Sequence, residues 1–360
     1  MKKTLVDLTY FSFPDANPEG IMSKCNSTIG FLHKLSVVFE THFVVRSELG
    51  FPSITHQTIK IHFVKGKILE KWKIPFHFNR YIKSLNPDYI LVHGFGSAHY
   101  LIFLKIICPK AKIILQCNGF ATEPKGLVKL IFRTSNRFID GYFFTGIQNA
   151  KSWYENKVIP KNKIIELMEG SVDFRFQGNS HREKSTFIWV GRLDENKDPI
   201  TVLKAFHRFL VIDSTAKLTM VYHEGDLESQ VSEFIRTNSL TNNIELKGFV
   251  AHKDLEALYH CYQYFILGSH YEGSGYALLE SMACGCIPVV TDIPSFNYMT
   301  DNGNCGLLFI AGNHEKLFEQ LTETTIINYV DYQKKVLAHF ENRLSFQAIA
   351  NKIAASFQSL

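Results

Sequence analysis

The sequence lacks a long apolar run at any point. No stretch approaches the roughly eighteen apolar residues that a membrane-spanning helix needs, and the nearest, residues 89–104, is interrupted by His93 and His99. The first five residues run into an alternating strand without the apolar segment of a signal peptide. The sequence therefore predicts neither a transmembrane helix nor a secretory leader.

The chain has seven cysteines, but their spacing shows no pattern typical of a metal site or a disulfide. No two of them form a Cys-x-x-Cys pair, and the nearest neighbours, Cys284 and Cys286, suit neither a zinc site nor a disulfide. None of the fifteen histidines forms a metal-ligand pair at helical spacing within a cluster. We predict a reduced, cytosolic protein without a metal centre.

The composition is that of an ordinary globular protein, with 46% hydrophobic and 20% charged residues. This excludes disordered, collagenous and coiled-coil chains, and 360 residues suggest about two domains. The net charge of +5 is unevenly distributed, because residues 1–178 hold 24 basic against 13 acidic residues and residues 179–360 hold 15 against 21. The basic half is suited to an anionic surface, or its lysines only confer solubility.

Short apolar strands alternate with helical patterns along the whole chain, which is typical of βαβ units and a parallel sheet. We predict an α/β fold with two domains in tandem. The expected boundaries are 1–170 for the first domain and 171–340 for the second. Residues 341–360 are expected to form a helix that packs back on the first domain. Predicted elements of the first half include strands at 4–8, 42–45, 89–92, 112–115, 141–144 and 163–167, and helices at 22–39, 98–107 and 126–138.

The densest chemical signal is the segment from Glu272 to Glu280. A strand ends near Leu267, a glycine-containing turn follows, and a helix begins near Gly275. Ligands of parallel sheets bind outside the carboxyl ends of the strands, and free N–H groups at a helix start suit a phosphate. Either glutamate alone would be a solvated charge, but two that frame a glycine turn at this edge favour a function.

A second cluster, residues 191–198, also follows a strand and precedes a helix. Arg192 and Lys197 project from the same edge, where two cations could clamp a diphosphate. The alternative, equally weighted on this cluster alone, is a pair of surface cations neutralised by Asp194 and Glu195.

Together the clusters resemble the retaining glycosyltransferases of family 4, which have the GT-B fold of two Rossmann-like domains facing a cleft. The Glu-x7-Glu spacing, Gly285 and Pro288 match that family's pattern over residues 170–310, whereas the first 165 residues match weakly. The resemblance implies that Arg192 and Lys197 bind the donor diphosphate, that Glu272 contacts the transferring sugar, and that Glu280 holds the ribose.

The same resemblance implies further contacts of a nucleotide-sugar donor, which is a substrate and not a cofactor. These come from Phe249 and Val250, which line the base pocket, and from the turn residues Gly273, Ser274, Gly275 and Tyr276. The family needs no metal, in agreement with the absence of an Asp-x-Asp pair. Front-face attack would require no separate carboxylate nucleophile.

The sequence departs from the family's pattern in three places. Asn118 stands where a histidine near the sugar is usual, and the glycine-rich first loop is reduced to Gly20 and its two neighbours. We keep Asn118 and Gly20 as candidate contacts on the acceptor or sugar side. The third departure is residues 222–226, which replace the usual Gly-x-Gly-Pro.

Basic residues of the first half follow a pattern. Lys125, Lys129, Arg133 and Arg137 recur every fourth residue on one helical stripe, and a second basic segment with aromatic residues spans 65–83. These basic residues could face an anionic membrane, form a solvated helix face or bind nucleic acid. We rank the membrane interpretation slightly above the solvated face and well above nucleic-acid binding.

The resulting hypothesis is a hexosyltransferase that uses a nucleotide sugar, most often a UDP-sugar, and acts on a glycan or lipid-linked acceptor of a surface polysaccharide or lipopolysaccharide. Its expected location is the cytoplasm, peripheral to the inner face of the membrane. The alternatives are an inactive glycosyltransferase-like partner protein and a GT-B sugar-nucleotide epimerase. A dehydrogenase is disfavoured because no Gly-x-Gly-x-x-Gly follows the first strand.

Overall fold

A computed structural model describes residues 2–14, 16–66, 74–95, 98–117, 123–178 and 182–360. The chain divides into unit 1, Met1–Ser171 together with Phe346–Leu360, and unit 2, Val172–Ser345. The first division falls one residue from the expected boundary of 170/171, and the second falls five residues after the expected 340/341.

Unit 1 is built on an eight-stranded sheet of order β3-β4-β2-β1-β5-β6-β7-β8, in which only the β3–β4 pair is antiparallel. Its strands are β1 (Thr4–Phe13), β2 (Glu40–Ser47), β3 (Phe51–His56), β4 (Ile59–Lys65), β5 (Tyr89–His93), β6 (Lys112–Gln116), β7 (Gly141–Phe144) and β8 (Ile164–Glu166). Its first six helices are α1 (Pro18–Lys24), α2 (Asn26–Leu35), α3 (Phe76–Ser84), α4 (Ala98–Ile107), α5 (Gly126–Ser135) and α6 (Lys151–Glu155).

Two sequence predictions for unit 1 are corrected by the structure. The single helix expected over 22–39 is two helices that break at Cys25, whose N–H donates to the carbonyl oxygens of Ile21 and Met22. The strands β3 and β4 and the helix α3 were not predicted. The sequence of β3 shows no regular alternation of apolar and polar residues. Pro52 interrupts it, and exposure along the strand is irregular because β3 is an edge strand with one face in solvent.

Unit 2 has a six-stranded, all-parallel sheet of order β11-β10-β9-β12-β13-β14. Its strands are β9 (Thr186–Val190), β10 (Lys217–Val221), β11 (Ile244–Gly248), β12 (Tyr264–Leu267), β13 (Ile287–Thr291) and β14 (Leu307–Phe309). Its helices are α7 (Pro199–Phe209), α8 (Glu228–Thr237), α9 (His252–Tyr259), α10 (Tyr276–Ala283), α11 (Pro294–Met299), α12 (His314–Glu323) and α13 (Tyr329–His339).

The prediction that the chain after Tyr329 is helical and contains no strand is confirmed. After a π-helical turn at Phe340–Leu344, the last helix, α14 (Phe346–Gln358), packs against α2 of unit 1. The ring of Phe357 lies 4.8 Å from that of Tyr89 at the start of β5. The end of the chain thus packs on unit 1, against α2 and the start of β5.

Two buried histidines connect β2 and β4 in unit 1. His42 Nδ1 lies 2.9 Å from His62 Nε2, and His62 Nδ1 lies 2.9 Å from both Ser53 Oγ and Tyr81 Oη. Burial, followed by the charges of His42 and Lys60, lowers the pKa of His62 to about 4. Burial also lowers the pKa of His42.

We expect acid to destabilise unit 1 through this pair. Between pH about 6.5 and about 4 the unfolded chain binds a proton at His62 that the folded chain does not, so stability falls as the pH falls through that window. The loss from His62 alone is about 3 kcal/mol. Urea unfolding as a function of pH should show this slope, and His62→Asn should flatten it. An unchanged slope in the variant would contradict the assignment.

Candidate active site

Both sequence-predicted clusters lie at the carboxyl edge of the unit 2 sheet. The chain passes from β9 to β10 and β11 on one side and then crosses to β12 on the other, so β9 and β12 flank the point where the strand order reverses. Ligands of open α/β sheets bind at such a point. The loops that follow these two strands, 191–198 and 268–275, are the two predicted clusters.

Backbone and side-chain hydrogen bonds join these two loops. The His270 N–H donates to the Asn196 carbonyl oxygen at 2.8 Å, and the Tyr271 N–H donates to Asn196 Oδ1 at 3.1 Å. Asp198 caps α7 by accepting from the Thr201 N–H, and its other oxygen lies 3.2 Å from His270 Nε2. The site is therefore held in shape by groups that belong to both loops.

Lys197 and Glu272 form an ion pair across the two loops. Both side chains are largely buried, at 17% and 13% exposure, and Ser269 Oγ donates a 2.8 Å hydrogen bond to Glu272. An ammonium group has three donors, so Lys197 can hold Glu272 and still donate to an anion. The sequence predicted both residues for the site, but not that they contact each other.

Arg192 is placed differently from Lys197. Its side chain is 64% exposed and its Nε lies 3.0 Å from Asp194 Oδ2. For Arg192 the structure thus shows the surface pair with Asp194 that the sequence left open as an alternative. Lys197 is the better-placed of the two predicted cations, because its charge is fixed at the sheet edge.

The turn before α10 has the expected geometry. Gly275 is the N-cap of α10 with φ +58, and a Cβ there would lie 2.6 Å from the Phe296 ring. Only glycine fits this left-handed, tightly packed position. Gly273 is half-buried, Ser274 is buried, and Tyr276 is exposed. The turn therefore brings backbone rather than side chains to the start of α10.

Glu280 lies one turn inside α10 and is buried. His252 Nε2 lies 2.8 Å from Glu280 Oε1, and the Tyr259 hydroxyl donates to Oε2 at 3.2 Å. The hydrogen bond with Glu280 raises the pKa of His252, while burial, with the charge of Glu280 next, raises that of Tyr259. Sequence analysis missed His252, for which the available signal was its place directly after the Gly-Phe-Val-Ala segment that begins at the last residue of β11.

An exposed aromatic ring borders the same edge. Phe249, after β11, is 68% exposed, and its ring contacts that of His223, which follows β10, at 5.1 Å edge to face. Val250 beside it is half-buried. Phe249 and Val250 are the predicted base-pocket residues, whereas His223 was not singled out.

The third departure from the family's pattern has a structural counterpart. A Cβ on Gly225 would lie 2.2 Å from the backbone oxygen of Leu193, and the Leu193 N–H donates to the Glu224 carbonyl oxygen. Residues 222–226 therefore support the Arg192–Lys197 loop by close backbone contact, which requires glycine at position 225.

The acceptor-side candidates lie in unit 1. Gly20 is in the first turn of α1, where its N–H donates to the side chain of the N-cap residue Asn17, so it is part of a helix start rather than of an open glycine loop. Asn118 lies outside the described residues. Within the described ranges, no group of three or more His, Cys, Asp or Glu side chains could hold a metal ion.

Comparison with known proteins gives a family match. The family model for "Glycosyl transferases group 1" matches residues 172–328. A GDP-mannose:cellobiosyl-diphosphopolyprenol alpha-mannosyltransferase of Xanthomonas oryzae pv. oryzae is 26% identical over 277 residues, which cover 74% of this chain and 72% of that protein.

A second similar protein is a Campylobacter jejuni N-acetylgalactosamine-N,N'-diacetylbacillosaminyl-diphospho-undecaprenol 4-alpha-N-acetylgalactosaminyltransferase, 25% identical over 315 residues, which cover 80% of this chain and 82% of the relative.

Solved structures agree on the fold. A glycosyltransferase from Rickettsia africae superposes with a TM-score of 0.72 at 16% identity, covering 100% of this chain and 99% of the other. The Anabaena protein HepE in complex with UDP gives 0.69 at 13% identity, covering 99% and 100%. With the motifs at the unit 2 sheet edge, these findings show an enzyme with the GT-B fold, whose residues 172–328 match the group 1 glycosyltransferase family.

Proposed function

We propose that the enzyme transfers a hexose from a nucleotide sugar, preferentially a UDP-sugar, to a lipid-linked or other glycan acceptor in surface polysaccharide biosynthesis. The observation that carries this proposal is the Lys197–Glu272 pair beside the N-terminal end of α10, with Glu280 held one turn inside that helix by His252 and Tyr259. A cation, a helix start and two oriented carboxylates match the diphosphate, sugar and ribose of such a donor.

The proposed chemistry follows from where charge develops. As the bond between the sugar and the diphosphate breaks, negative charge grows on the leaving phosphate, and a fixed ammonium beside it stabilises that state more than the ground state. Lys197 would bridge the phosphate and Glu272, so that Glu272 stays aimed at the sugar. Front-face attack with retention then needs neither a carboxylate nucleophile nor a resident metal.

The acceptor class is supported by the two similar enzymes described above, whose names give acceptor sugars carried by a polyprenyl-type diphosphate. The donor base needs its own test, because one of these relatives is named for GDP-mannose. A thermal-shift screen should therefore include UDP- and GDP-sugars. We expect UDP-sugars to raise the melting temperature most.

Turnover distinguishes the proposal from its alternatives. A glycosyltransferase releases nucleotide in step with glycosylation of an acceptor. An epimerase converts the nucleotide sugar with no acceptor present, and an inactive partner protein does neither. Chromatography of the donor before and after incubation with undecaprenyl-diphosphate disaccharides decides among the three.

We predict that the two glutamates separate binding from turnover. Glu280→Gln should raise the dissociation constant for free UDP, because Glu280 would contact the ribose. Glu272→Gln should leave UDP binding nearly intact and reduce turnover, because Glu272 would contact only the sugar. The matched control is Glu233→Gln, at an exposed residue of α8. The reverse pattern, measured by calorimetry and steady-state kinetics, would mean that the two roles are exchanged.

The exposed side chains of helix α5 support the proposal that the enzyme binds an anionic membrane. Leu127 and Leu130 are 65% and 55% exposed, Arg133 beside them is also exposed, and the first turn contains no acidic residue. Exposed leucines among basic residues suit a lipid surface better than a purely solvated stripe. Among the helices of the described residues, none is both long and apolar enough to cross a bilayer.

We therefore expect co-sedimentation with anionic but not with neutral vesicles. Each basic residue near the surface contributes about 1 kcal/mol, and added salt should weaken the attachment. Reversing Lys129 and Arg133 to Glu should release the protein without changing UDP affinity. The same charge change at Lys204 and Lys334, exposed residues of unit 2, should not release it. A wild type that ignores anionic vesicles at low salt would overturn membrane attachment.

A further inference from the structure

The loop 191–198 ends in an uncommon backbone conformation. Asp198 has φ +43 and ψ +60, in the left-handed region that residues other than glycine rarely adopt. Pro199 follows it, and a proline directs the preceding residue towards extended backbone. Asp198 thus holds a conformation that both its own Cβ and the next residue disfavour.

Capping of α7 alone does not require this conformation. The N-caps of α1, α12 and α13, which are Asn17, Asn313 and Asn328, also accept hydrogen bonds from their helices through the side chain. Their backbones are extended, as is usual for N-cap residues. Gly275, the N-cap of α10, is left-handed like Asp198. The left-handed caps therefore begin the two helices that follow the site loops 191–198 and 268–275.

Contacts from both site loops hold Asp198 in this conformation. Its N–H donates to the Asp194 carbonyl oxygen at 3.1 Å, and its own carbonyl oxygen would lie 3.0 Å from a Cβ on Gly268. Its carboxylate is 17% exposed, with one oxygen accepting from the Thr201 N–H and the other 3.2 Å from His270 Nε2. Strained residues persist where the surrounding structure over-determines them, and they concentrate at functional sites.

Lys197, which comes directly before Asp198, depends on this turn. Its N–H donates to Asp194 Oδ1 at 2.9 Å, and its Cγ lies 3.4 Å from the place of a Cβ on Gly191. Its ammonium group pairs with Glu272 across the two loops. Because φ and ψ at residue 198 determine the direction of Lys197 relative to α7, an extended residue there would aim the lysine elsewhere.

We propose that Asp198 is a positioning residue, whose left-handed backbone directs the Lys197 ammonium at the donor diphosphate. The inference rests on the proposed function, in which Lys197 binds that diphosphate. Asp198 does not touch the donor, because its carboxylate is occupied by α7 and by His270. Glycine, asparagine and aspartate suit the position, since glycine has no Cβ and the other two stabilise left-handed backbone by local hydrogen bonds.

Two variants separate the backbone of Asp198 from its cap. Asp198→Gly permits the left-handed backbone and removes the cap, whereas Asp198→Thr keeps a capping oxygen and disfavours that backbone. Asp198→Ala replaces Asp198→Thr if the threonine variant does not fold, since alanine lacks the branched side chain. The matched control is Asn313→Ala, which removes an N-cap with extended backbone from α12 of the same unit.

The readouts are UDP affinity, from calorimetry, and the side-chain resonance of Lys197, from NMR of isotope-labelled lysine. That resonance is assigned by its loss in Lys197→Ala. We expect Asp198→Thr to weaken UDP binding about tenfold and to shift the resonance towards that of an exposed lysine. Asp198→Gly should recover most of both, and Asn313→Ala should change neither. In the Lys197→Ala background, Asp198→Thr should cause no further loss of UDP affinity.

Wild-type UDP affinity and an unshifted Lys197 resonance in Asp198→Thr would overturn the positioning role. Equal losses in Asp198→Gly and Asp198→Thr would overturn it too, because they would assign the effect to the carboxylate. A further loss in the Lys197→Ala background would show that Asp198 does not act through Lys197. A wild type that binds no UDP and releases no nucleotide would instead overturn the proposed function, and the Lys197 resonance would still decide whether Asp198 positions the lysine.

Discussion

Replacing Lys197 by alanine should weaken UDP binding roughly ten- to a hundredfold, because a charge-assisted contact contributes about 1.5–3 kcal/mol. Turnover should fall further, by roughly 10²–10³, since the contact strengthens as the diphosphate leaves. Calorimetry with UDP and steady-state kinetics measure the two effects separately. The matched control is Lys217→Ala, which removes an exposed lysine at the start of β10, the opposite edge of the same sheet.

The Lys197 variant also leaves the largely buried Glu272 without its cation, so part of its effect is on stability. Adding Glu272→Gln to Lys197→Ala removes the unpaired charge. The double variant should regain stability but none of the UDP affinity. If UDP affinity is unchanged in Lys197→Ala, or is restored in the double variant, Lys197 does not contact the diphosphate.

The positions of the two candidate clusters in unit 2 were largely predictable from the sequence because their signals are local. The glycine turn, the proline after Asp198 and the short apolar strands each determine the conformation of their own segment. Once the strands are parallel, the two clusters must reach the same edge. What the sequence could not predict is which charges pair: Lys197 meets Glu272 across seventy-five residues, while Arg192 meets its near neighbour Asp194.

Lone polar residues were the hardest features to predict. His252 has no pattern of its own and becomes informative only when α9 and α10 pack and bring it to Glu280. Asp7 is a single acidic residue inside an apolar strand, and its partner His93 is eighty-six residues away. The break at Cys25 likewise lacks a glycine or proline, so helical periodicity runs across it.

Arg182 is another residue whose role emerges only from the packing of unit 2. It is buried, yet none of the ion pairs among the described residues includes it. Its Nη1 donates to the carbonyl oxygens of Tyr262 and Gly285, at 2.8 and 2.9 Å, and to the hydroxyl of Tyr329 at 3.0 Å. Its Nη2 donates to the Cys284 carbonyl oxygen. The guanidinium thus joins the end of α10, the approach to β12 and the start of α13.

Arg182→Met should therefore destabilise unit 2 by about 3–5 kcal/mol, because several buried acceptors lose a charged donor at once. Arg182→Lys keeps the charge but not the planar set of donors, and should lose an intermediate amount. Arg175→Met, at an exposed arginine seven residues earlier, is the matched control and should cost little.

Urea unfolding gives the size of the effect, and amide hydrogen exchange should place it in α10, β12 and α13 while β1 and β5 of unit 1 stay protected. Arg182 contacts the C-terminal end of α10, and α10 holds Glu280. UDP affinity should therefore fall with Arg182→Met, although Arg182 itself does not contact the donor. Equal stability of the Arg182→Met and Arg175→Met variants would show that the carbonyl oxygens find other donors and that Arg182 does not hold α10 in place.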